Sequence, residues 1–487
     1  MTTGQENSGS DGPLSDRGTP GSTGTAQQHD TSALPVSVLV YVRPWNRVQM
    51  DHLARGVWGD DSRISGMSEH GSVDDSGFWK RFHDAFKTVN TGATPHHFGP
   101  AEIEDIIGRC RLLRHLDLDT AMRLLVAAER AISAVLDRTR PSFILSLTVD
   151  SYILDILARL GQQRAIPFIG IVPSFLTDHF RITTRGEGVH CREVDEDMVE
   201  TTFANLAVAD YRPDFLVRPG REARRRMWRM WIRNLPRPVW FALRRRLSGD
   251  LLNYHFWVSQ IVARQFWTPW PQGYSGIGRH ELDTLAPRYL GPPRVYLPLQ
   301  MSPETTIDYW SADRRWINYE DHILRLIRAH RGKACFAVKE HPNLVGFRSP
   351  GFYRRLAAEP NCTMVLPEVR SNDLVTLCDA VLVCTGSAGF EAAIRGKPVI
   401  SDSAPYYAPQ ETLFPISTLK DGSFVDNFPL RLQNRMVKHL LERTLPGRFL
   451  NNGTWSARNA EHRAWSSTMA ASIRQFLGSQ DAPRTET

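Results

Sequence analysis

The chain has 487 residues, enough for two or three domains, because a single hydrophobic core rarely grows past about 250–300 residues. No apolar run reaches the roughly 18 residues that a membrane span needs, and the N-terminus lacks the apolar core of a signal peptide, so we expect a cytoplasmic protein. The formal charge of +7 is local: residues 218–246 hold eleven Arg and one acid, and the rest of the chain is slightly acidic, which argues against a nucleic-acid-binding protein.

Cysteine usage indicates a reducing environment. The six cysteines are scattered, without CxxC pairs or histidine-rich neighbours. This spacing argues against both a zinc cluster and a disulfide framework. We therefore expect reduced, mostly buried thiols.

The first part of the chain begins with a polar tail. Residues 1–34 are rich in Gly, Ser, Thr, Asp and Gln and predict disorder, because they cannot bury enough apolar surface to offset the entropy of ordering. Residues 36–42 predict the first strand, and the polar, Gly-rich residues 52–77 predict a long loop. Helical periodicity then dominates residues 103–138.

Two strand-type runs around a helix follow. Residues 141–150, 151–164 and 166–172 predict a βαβ unit, which implies parallel strands and a right-handed crossover. Asp150 lands at the carboxyl edge of its strand, where such sheets place ligands, although it could equally cap the helix that follows. Glu187, in a Gly-containing loop expected at the same edge, is a second candidate carboxylate.

The Arg-rich segment, 218–246, has two interpretations. Ala223, Met227, Met230 and Trp231 follow an i, i+4, i+7, i+8 pattern that predicts a short amphipathic helix surrounded by Arg. Such a helix either docks on an anionic membrane surface or packs on its own domain with a solvated basic face.

The second part of the chain repeats the alternation of strand and helix. Residues 272–293 contain several Gly and Pro and predict a linker. The fold class predicted is α/β, GT-B-like, with two doubly wound (Rossmann-like) domains facing a cleft. The expected organisation is a tail (1–34), an N-terminal domain (35–271), the linker (272–293), a C-terminal domain (294–430), and C-terminal helices (431–487) that could cross back to the first domain.

His341 is the most conspicuous polar side chain of the second half. It follows a strand-type run at 334–338, and Pro342 biases it toward an extended conformation, so the imidazole should lie just past a strand end. It is either a donor to a bound anion or a loop residue bonded to backbone. Lys339 is either a solvated strand-end charge or a ligand contact.

A second strand end offers hydrogen-bond donors. Residues 380–384 predict a buried parallel strand, Gly386 and Gly389 permit a tight turn, and Ser387 can cap the helix that follows. The N–H groups of that helix start, with the Thr385 and Ser387 hydroxyls, suit a phosphate because the positive end of the helix dipole points the same way. Alternatively, the two glycines only allow close strand–helix packing.

These motifs together resemble a known family. The stretches LPLQMSPE (297–304), KEHP (339–342), TGSAGFEA (385–392) and GKPV (396–399) are similar to the capsule polysaccharide biosynthesis family. That family includes bacterial Kdo transferases with a GT-B fold and, more distantly, resembles bacterial sialyltransferases that share a His-Pro motif. The similarity covers roughly residues 294–407.

The resemblance implies a glycosyltransferase whose second domain holds a nucleotide-activated sugar, such as a CMP-linked acid sugar like Kdo. By analogy, His341 and the Ser387 helix start would contact the nucleotide phosphate, and Glu391 the ribose, although Glu391 could instead only complement the helix dipole. Gln300 and Glu304 would line the cleft. Some members of the family carry a His where Gln300 stands.

Charge development in glycosyl transfer agrees with this assignment. The reaction places positive charge on the sugar and negative charge on the leaving phosphate, so it needs fixed donors at the phosphate and a carboxylate near the anomeric carbon. We predict Asp150 as that carboxylate, with Glu187 second. We expect neither a metal nor a cofactor, because the helix start and His341 can hold the leaving-group charge.

The expected partners are the nucleotide sugar, a glycan or glycolipid acceptor and the inner face of the plasma membrane. Two alternatives remain open at this point. One is another enzyme of similar fold, a polyol-phosphate transferase of teichoic-acid type or a nucleotide-sugar epimerase. The other is a non-catalytic export or assembly factor that binds the polysaccharide or its lipid carrier.

Overall fold

A computed structural model describes residues 35–208, 211, 223–270, 273–285, 291–424, 428–450 and 453–481. The predicted tail, 1–34, lies outside the described residues. Residues Val36–Thr487 form one compact unit that contains two separate β-sheets. The boundaries predicted for two domains and a linker therefore stay a prediction.

The first sheet has six strands in the order β11-β5-β4-β3-β1-β2. The strands β2, β1, β3 and β4 are parallel, β5 is antiparallel to β4, and β11 is antiparallel to β5. Their bounds are β1 Ser37–Tyr41, β2 Arg63–Met67, β3 Phe143–Leu147, β4 Phe168–Pro173, β5 His179–Ile182 and β11 Leu445–Pro446.

The second sheet has five strands, all parallel, in the order β10-β9-β6-β7-β8. This is the order of a dinucleotide-binding half, with the reversal of direction between β6 and β9. Its strands are β6 Arg294–Pro298, β7 Cys335–Lys339, β8 Cys362–Val365, β9 Ala380–Leu382 and β10 Val399–Ile400.

Helices connect the strands of both sheets. In the first half they are α1 Arg47–Trp58, α2 Phe78–Thr88, α3 Pro100–Arg109, α4 Leu118–Thr139, α5 Tyr152–Gln163, α6 Glu196–Ala207, α7 Ala223–Asn234, α8 Arg237–Leu247 and α9 Tyr254–Gln265. In the second half they are α10 Thr305–Asp308, α11 Tyr319–Ala329, α12 Phe352–Ala357, α13 Ser371–Leu377, α14 Ala388–Ile394, α15 Leu430–Glu442 and α16 Ala460–Asp481. The predicted α/β class, with two largely parallel sheets, is thereby confirmed.

The prediction of one long loop over residues 52–77 is wrong. Residues 52–58 belong to α1 and residues 63–67 to β2. The buried face of α1 includes Met50, Leu53, Ala54 and Val57, an apolar stripe interrupted by polar residues. Strand β2 has little apolar alternation of its own and forms because it pairs in register with β1. Tertiary pairing decides its state more than local propensity does.

The helical region expected over 103–138 is two helices rather than one. A 3₁₀ turn at Leu113–His115 separates α3 from α4. The second helix starts at Asp117, whose carboxylate accepts a hydrogen bond from the Thr120 amide at 2.8 Å and caps the helix.

The C-terminal residues lie against the first sheet. Leu445 pairs with Phe180 across β11 and β5, and α16 packs on α1. Met469 and Ile473 of α16 are buried in the same core cluster as residues of β1 and α1. The core on this side of the sheet therefore includes residues from both ends of the chain.

Two properties bear on the cellular setting. All six cysteines are free thiols, and Cys110, Cys378 and Cys384 are buried. Among the described residues, no helix combines the length and the apolar composition required to span a bilayer.

Candidate functional site

Each sheet has a position where consecutive connections leave in opposite directions, and a crevice opens there beyond the carboxyl ends of the strands. In the first sheet this position lies between β1 and β3, and in the second between β6 and β9. Arg43 and Asp150 follow the first pair of strands, and Gln300 and Thr385 follow the second. Arg43 and Asp150 touch through their side chains, and the Gln300 side chain contacts the Thr385 backbone amide.

At the second sheet, the residues after β6 and β9 interlock. The Thr385 amide donates to Gln300 Oε1 at 3.3 Å, and the Thr385 hydroxyl donates to the carbonyl of Thr306 at 2.8 Å. A Cβ on Gly386 would lie 2.1 Å from Gln300 Nε2, so only glycine permits this approach. Three residues predicted for the donor site thus meet at the crevice.

Gly389 allows the start of α14 to pack closely. A Cβ at this position would lie 2.3 Å from the Tyr407 hydroxyl and 2.8 Å from a methyl of Val383. The same hydroxyl donates to the carbonyl of Gly386 at 2.9 Å. The packing role considered for Gly389 is therefore present, and it fixes the turn between strand and helix.

The prediction that the Ser387 side chain caps α14 is wrong. Ser387 occupies the N-cap position of α14, but its backbone is helical (φ −58°, ψ −22°), and its side chain makes no capping hydrogen bond. An N-cap oxygen reaches the first-turn amides only from an extended backbone. The Ser387 hydroxyl is partly exposed beside the helix start instead.

His341 lies directly after β7, as predicted, and its tautomer follows from its contacts. The amide of Asn343 donates to His341 Nδ1 at 3.2 Å, so in the neutral ring the proton is on Nε2. The His341 amide itself donates to Glu340 Oε1 at 2.6 Å. Nε2 is therefore the ring atom that can donate to an anion, and Pro342 follows it, half-buried.

A buried ion pair positions the His341 backbone. Arg348 and Glu340 have side chains that are 0% exposed and form two hydrogen bonds of 2.8 Å. A third hydrogen bond, of 2.6 Å, runs from Arg348 Nη2 to the carbonyl of Gln300. The ends of β6 and β7 are thus held together by one guanidinium group.

Lys339 and Glu391 occupy the same side of the second sheet. Lys339 is buried and donates to the Ser371 hydroxyl at 3.0 Å. Burial lowers the pKa of Lys339 to about 8, and the nearby charge of Glu391 opposes that shift. Lys339 is therefore not the solvated strand-end charge considered from the sequence.

Glu304 begins the segment that joins the two halves of the site. Its carboxylate accepts a hydrogen bond from the Thr306 hydroxyl at 2.7 Å, and burial raises its pKa. From the first half, Arg111 donates to the Thr305 hydroxyl at 3.0 Å and pairs with Asp308 at 2.9 Å. Trp310 Nε1 donates to the Thr148 hydroxyl, just after β3, at 3.2 Å, and the Thr306 carbonyl accepts from Thr385, just after β9, so the segment 305–310 contacts the carboxyl edges of both sheets.

Asp150 lies at the predicted edge and is bound by Arg43. The two guanidinium nitrogens of Arg43 donate to both carboxylate oxygens of Asp150 at 2.6 and 2.7 Å. Burial raises the pKa of Asp150, but the charge of Arg43 outweighs it and holds the pKa at about 2. The capping role is taken by Ser151, whose hydroxyl accepts from the Leu154 amide at 3.4 Å.

Glu187 is apart from this pair. It is exposed, and its carboxylate accepts hydrogen bonds from the amides of Thr184 and Arg185 within its own turn. Gly186, the residue before Glu187, packs on the indole of Trp310. The bonds of Glu187 stabilise the loop and do not join it to Asp150.

The sequence analysis missed several groups beside Asp150. Glu69 follows β2 and lies 3.5 Å from the Arg43 guanidinium, and His255 Nε2 lies 3.4 Å from the same carboxylate oxygen. His70 completes a set whose ligand-type atoms all lie within 4.8 Å of one another. That set could hold a cation, but the buried charge of Arg43 already compensates Glu69, so the geometry favours the ion pair.

Comparison with known proteins finds a family similarity in the second half of the chain. Residues 284–410 match the model of the capsule polysaccharide biosynthesis protein family, and this range includes every site residue predicted for the second half. Residues 284–410 are therefore similar to the capsule polysaccharide biosynthesis family, in agreement with the resemblance of the motifs. No curated protein sequence matches the chain.

Solved structures with some similarity include two β-Kdo transferases of Thermosulfurimonas dismutans KpsC. The 2,7-transferase is 12% identical, with 91% of this chain and 99% of that chain covered and a TM-score of 0.35. The 2,4-transferase is 14% identical, with 69% and 87% covered and a TM-score of 0.31. The UDP-GlcNAc 2-epimerase of Methanocaldococcus jannaschii, in complex with UDP-GlcNAc and UDP, is 12% identical, with 91% and 99% covered and a TM-score of 0.23.

Proposed function

We propose that the protein is a glycosyltransferase of capsule or other surface polysaccharide biosynthesis that uses a nucleotide-activated sugar. The observation that supports this most directly is the crevice between β6 and β9. There Gln300, Thr385 and the start of α14 meet inside the family segment, and His341 lies at the next strand end. A crevice of this kind is where α/β sheets bind phosphorylated ligands.

In the proposed reaction, the second sheet holds the leaving phosphate. His341 Nε2, the Ser387 hydroxyl and the amides at the helix start donate to the phosphate oxygens, which gain negative charge as the bond to the anomeric carbon breaks, while the Thr385 hydroxyl keeps its bond to the Thr306 carbonyl. Asp150, kept ionised by Arg43, supplies a negative charge that complements the positive charge developing on the sugar. The other donor-side proposals are the ribose contact of Glu391 and the cleft-lining Glu304.

Donor binding tests this proposal. CMP-, CDP- and UDP-linked sugars should each be titrated while thermal unfolding is followed, since a ligand at 100 times its Kd adds about 2.7 kcal/mol of stability. At least one donor should raise the melting temperature, and His341→Ala should abolish that rise. His96→Ala, which changes an exposed histidine of the first half, is the matched control and should retain it. Failure of every donor to shift melting would refute the nucleotide site.

Product analysis then separates the enzymatic alternatives. A transferase leaves a longer acceptor glycan and a free nucleotide, whereas an epimerase converts the donor sugar without an acceptor. An export factor binds without turnover. Formation of an epimer in the absence of acceptor, or donor binding with no product, would refute glycosyl transfer.

We also propose that the protein docks peripherally on an anionic membrane surface through α7 and α8. Their exposed apolar side chains include Trp228 (42% exposed), Trp240 (55%) and Leu247 (77%). Exposed Arg225 and Arg229 accompany them on α7. Large apolar side chains mixed with Arg suit the interface of a bilayer that contains acidic lipids.

Vesicle sedimentation tests the membrane proposal. The protein should sediment with phosphatidylglycerol vesicles and less with phosphatidylcholine vesicles. Arg225→Glu with Arg229→Glu should lower sedimentation, whereas the matched pair Arg55→Glu with Arg325→Glu, exposed elsewhere, should leave it unchanged. Equal sedimentation of both pairs would refute docking through these helices.

A further inference from the structure

An exposed tryptophan lies over the buried polar groups of the first sheet. Trp45 is 42% exposed, although Arg43 and Asn46 on either side of it in sequence are buried. Its ring centroid lies 5.2 Å from that of His255 and 6.4 Å from that of His70. The Arg43 guanidinium is 5.5 Å from the indole centroid. A large aromatic surface is thus presented to solvent at the crevice between β1 and β3.

His255 is held in place from three sides. Asn253 caps α9 by accepting from the Phe256 amide at 3.1 Å, and the neighbouring Tyr254 hydroxyl donates to the carbonyl of Asp150 at 3.0 Å. His255 Nε2 faces Glu69 at 3.4 Å. These contacts fix the position of the imidazole relative to the crevice.

The chemistry of His255 follows from its surroundings. Burial, with the charge of Arg43, lowers the pKa of His255 to about 4, so the ring is neutral at neutral pH. Because the ring proton is on Nε2 and faces Glu69, the lone pair of the neutral His255 ring is on Nδ1, which is the acceptor atom. The ring is 27% exposed, so it is within reach of solvent.

We propose that Trp45 and His255 form a sugar-binding subsite for the acceptor, in which the indole packs on the apolar face of a pyranose and His255 accepts a hydrogen bond from one of its hydroxyls. The C–H groups of a pyranose face carry small positive partial charges and pack on the negative face of an aromatic ring. Ligand sites commonly combine such an apolar surface with a few fixed polar groups. The assignment as the acceptor subsite rests on the proposed glycosyl transfer, but binding of a sugar here does not.

The position relative to Asp150 supports this assignment. Arg43 contacts Asp150 at 2.6 Å and its guanidinium is 5.5 Å from the indole centroid, so one side chain links the proposed subsite to the proposed catalytic carboxylate. The donor phosphate is expected at the opposite sheet, across the segment 305–310.

Saturation-transfer difference NMR tests the subsite without a donor. The probe is a mixture of methyl β-glucopyranoside, methyl β-galactopyranoside and methyl β-ribofuranoside at millimolar concentration. At least one pyranoside should receive saturation from the wild-type protein. Trp45→Ala should weaken its binding about tenfold or more, and Trp45→Phe should weaken it less, because a smaller aromatic face remains. The fold of each variant is checked by circular dichroism.

Two further variants sharpen the test. Trp270→Ala removes another exposed indole, 72% exposed, and should leave saturation transfer unchanged. His255→Phe keeps an aromatic ring beside Trp45 but loses the acceptor nitrogen, so binding should weaken between about twofold and tenfold. No saturation of any pyranoside in the wild type, or equal saturation in Trp45→Ala, overturns the proposal.

The result is separable from that of the donor titration. If donors shift melting and no pyranoside binds at Trp45, the subsite is wrong while glycosyl transfer stands. If a pyranoside binds at Trp45 and no donor shifts melting, the subsite stands as a sugar site while the proposed transferase fails. Where both succeed, Trp45→Ala should raise the KM for acceptor and leave the donor-induced melting shift unchanged.

Discussion

Replacing Arg43 with Met should destabilise the protein strongly, and by an amount that depends on pH. Arg43 is 3% exposed and pairs with both oxygens of Asp150, and its guanidinium lies 3.5 Å from Glu69. Met retains much of the apolar volume of the Arg43 side chain. It leaves the carboxylates of Asp150 and Glu69 without the guanidinium cation that pairs with them. Removing one partner of a buried ion pair typically costs about 3–5 kcal/mol, and we expect a loss in that range near neutral pH.

The pKa of Asp150 gives an independent magnitude. A change of the pKa from its ordinary value of 3.8 to about 2 amounts to about 2.4 kcal/mol of stability at neutral pH. In the wild type, this contribution is complete above the unfolded pKa and is lost only as the pH falls through about 2. In Arg43→Met, burial raises the folded pKa of Asp150 above the unfolded value, so protonation relieves the variant at mildly acid pH. The difference between variant and wild type should therefore shrink as the pH falls from about 7 to about 4.5.

Urea unfolding followed by tryptophan fluorescence at both pH values measures this difference. Arg315→Met is the matched control, because Arg315 is 64% exposed and pairs with Asp313 at the surface. Its loss should cost less than about 1 kcal/mol at either pH. The double variant Arg43→Met with Asp150→Asn should lose less than the sum of the two single variants. A loss below about 1 kcal/mol for Arg43→Met, or one equal at both pH values, would refute the buried-pair reasoning.

Three further predictions follow from contacts elsewhere in the site. Gly389→Ala should lower the melting temperature and abolish any donor-induced shift, because its Cβ would lie 2.3 Å from the Tyr407 hydroxyl; Gly99→Ala, with open space around it, should change neither. Asp308→Asn should cost about 3–5 kcal/mol in urea unfolding, since it leaves the partly buried Arg111 and Arg114 without the buried carboxylate that pairs with both; a loss below about 1 kcal/mol would contradict the buried pairing. Titration of the native protein with Ellman's reagent should leave three thiols unreacted until urea is added, because burial raises their pKa and excludes the reagent; rapid reaction of all six would contradict their burial. These three are Cys110, Cys378 and Cys384.

The half of the site around the second sheet was largely predictable. Gln300, His341 and Thr385 each follow a run of apolar, strand-type residues, and parallel strands bring their carboxyl ends to one edge. The rule that parallel strands end at one edge predicts which residues lie at that edge of the sheet. It does not predict the hydrogen bonds that those residues form. It therefore missed that Ser387 has a helical backbone and that Lys339 points to Ser371, because both depend on local dihedral angles and packing.

The half around the first sheet was predictable only at Asp150. Arg43 follows the first strand in the same way as Asp150 follows its own strand, so the signal was present although the residue was not singled out. Glu69 was hidden because β2 has no apolar alternation and forms only by pairing with β1. His255 could not be found at all from sequence spacing, since it comes from a helix more than one hundred positions after Asp150 and reaches it through tertiary packing.

The segment 305–310 explains how two sites from different sheets could act on one bond. Asp308 is 1% exposed and pairs with Arg111 and Arg114 of the first half, and the Thr306 carbonyl accepts from Thr385 of the second. Separating the two edges would break the Asp308 ion pairs and the hydrogen bond between Thr385 and Thr306 together. The spacing between the carboxylate side and the phosphate side is therefore set by this bridge before any substrate binds. A fixed spacing of this kind favours a site whose electrostatics are organised in advance of the reaction.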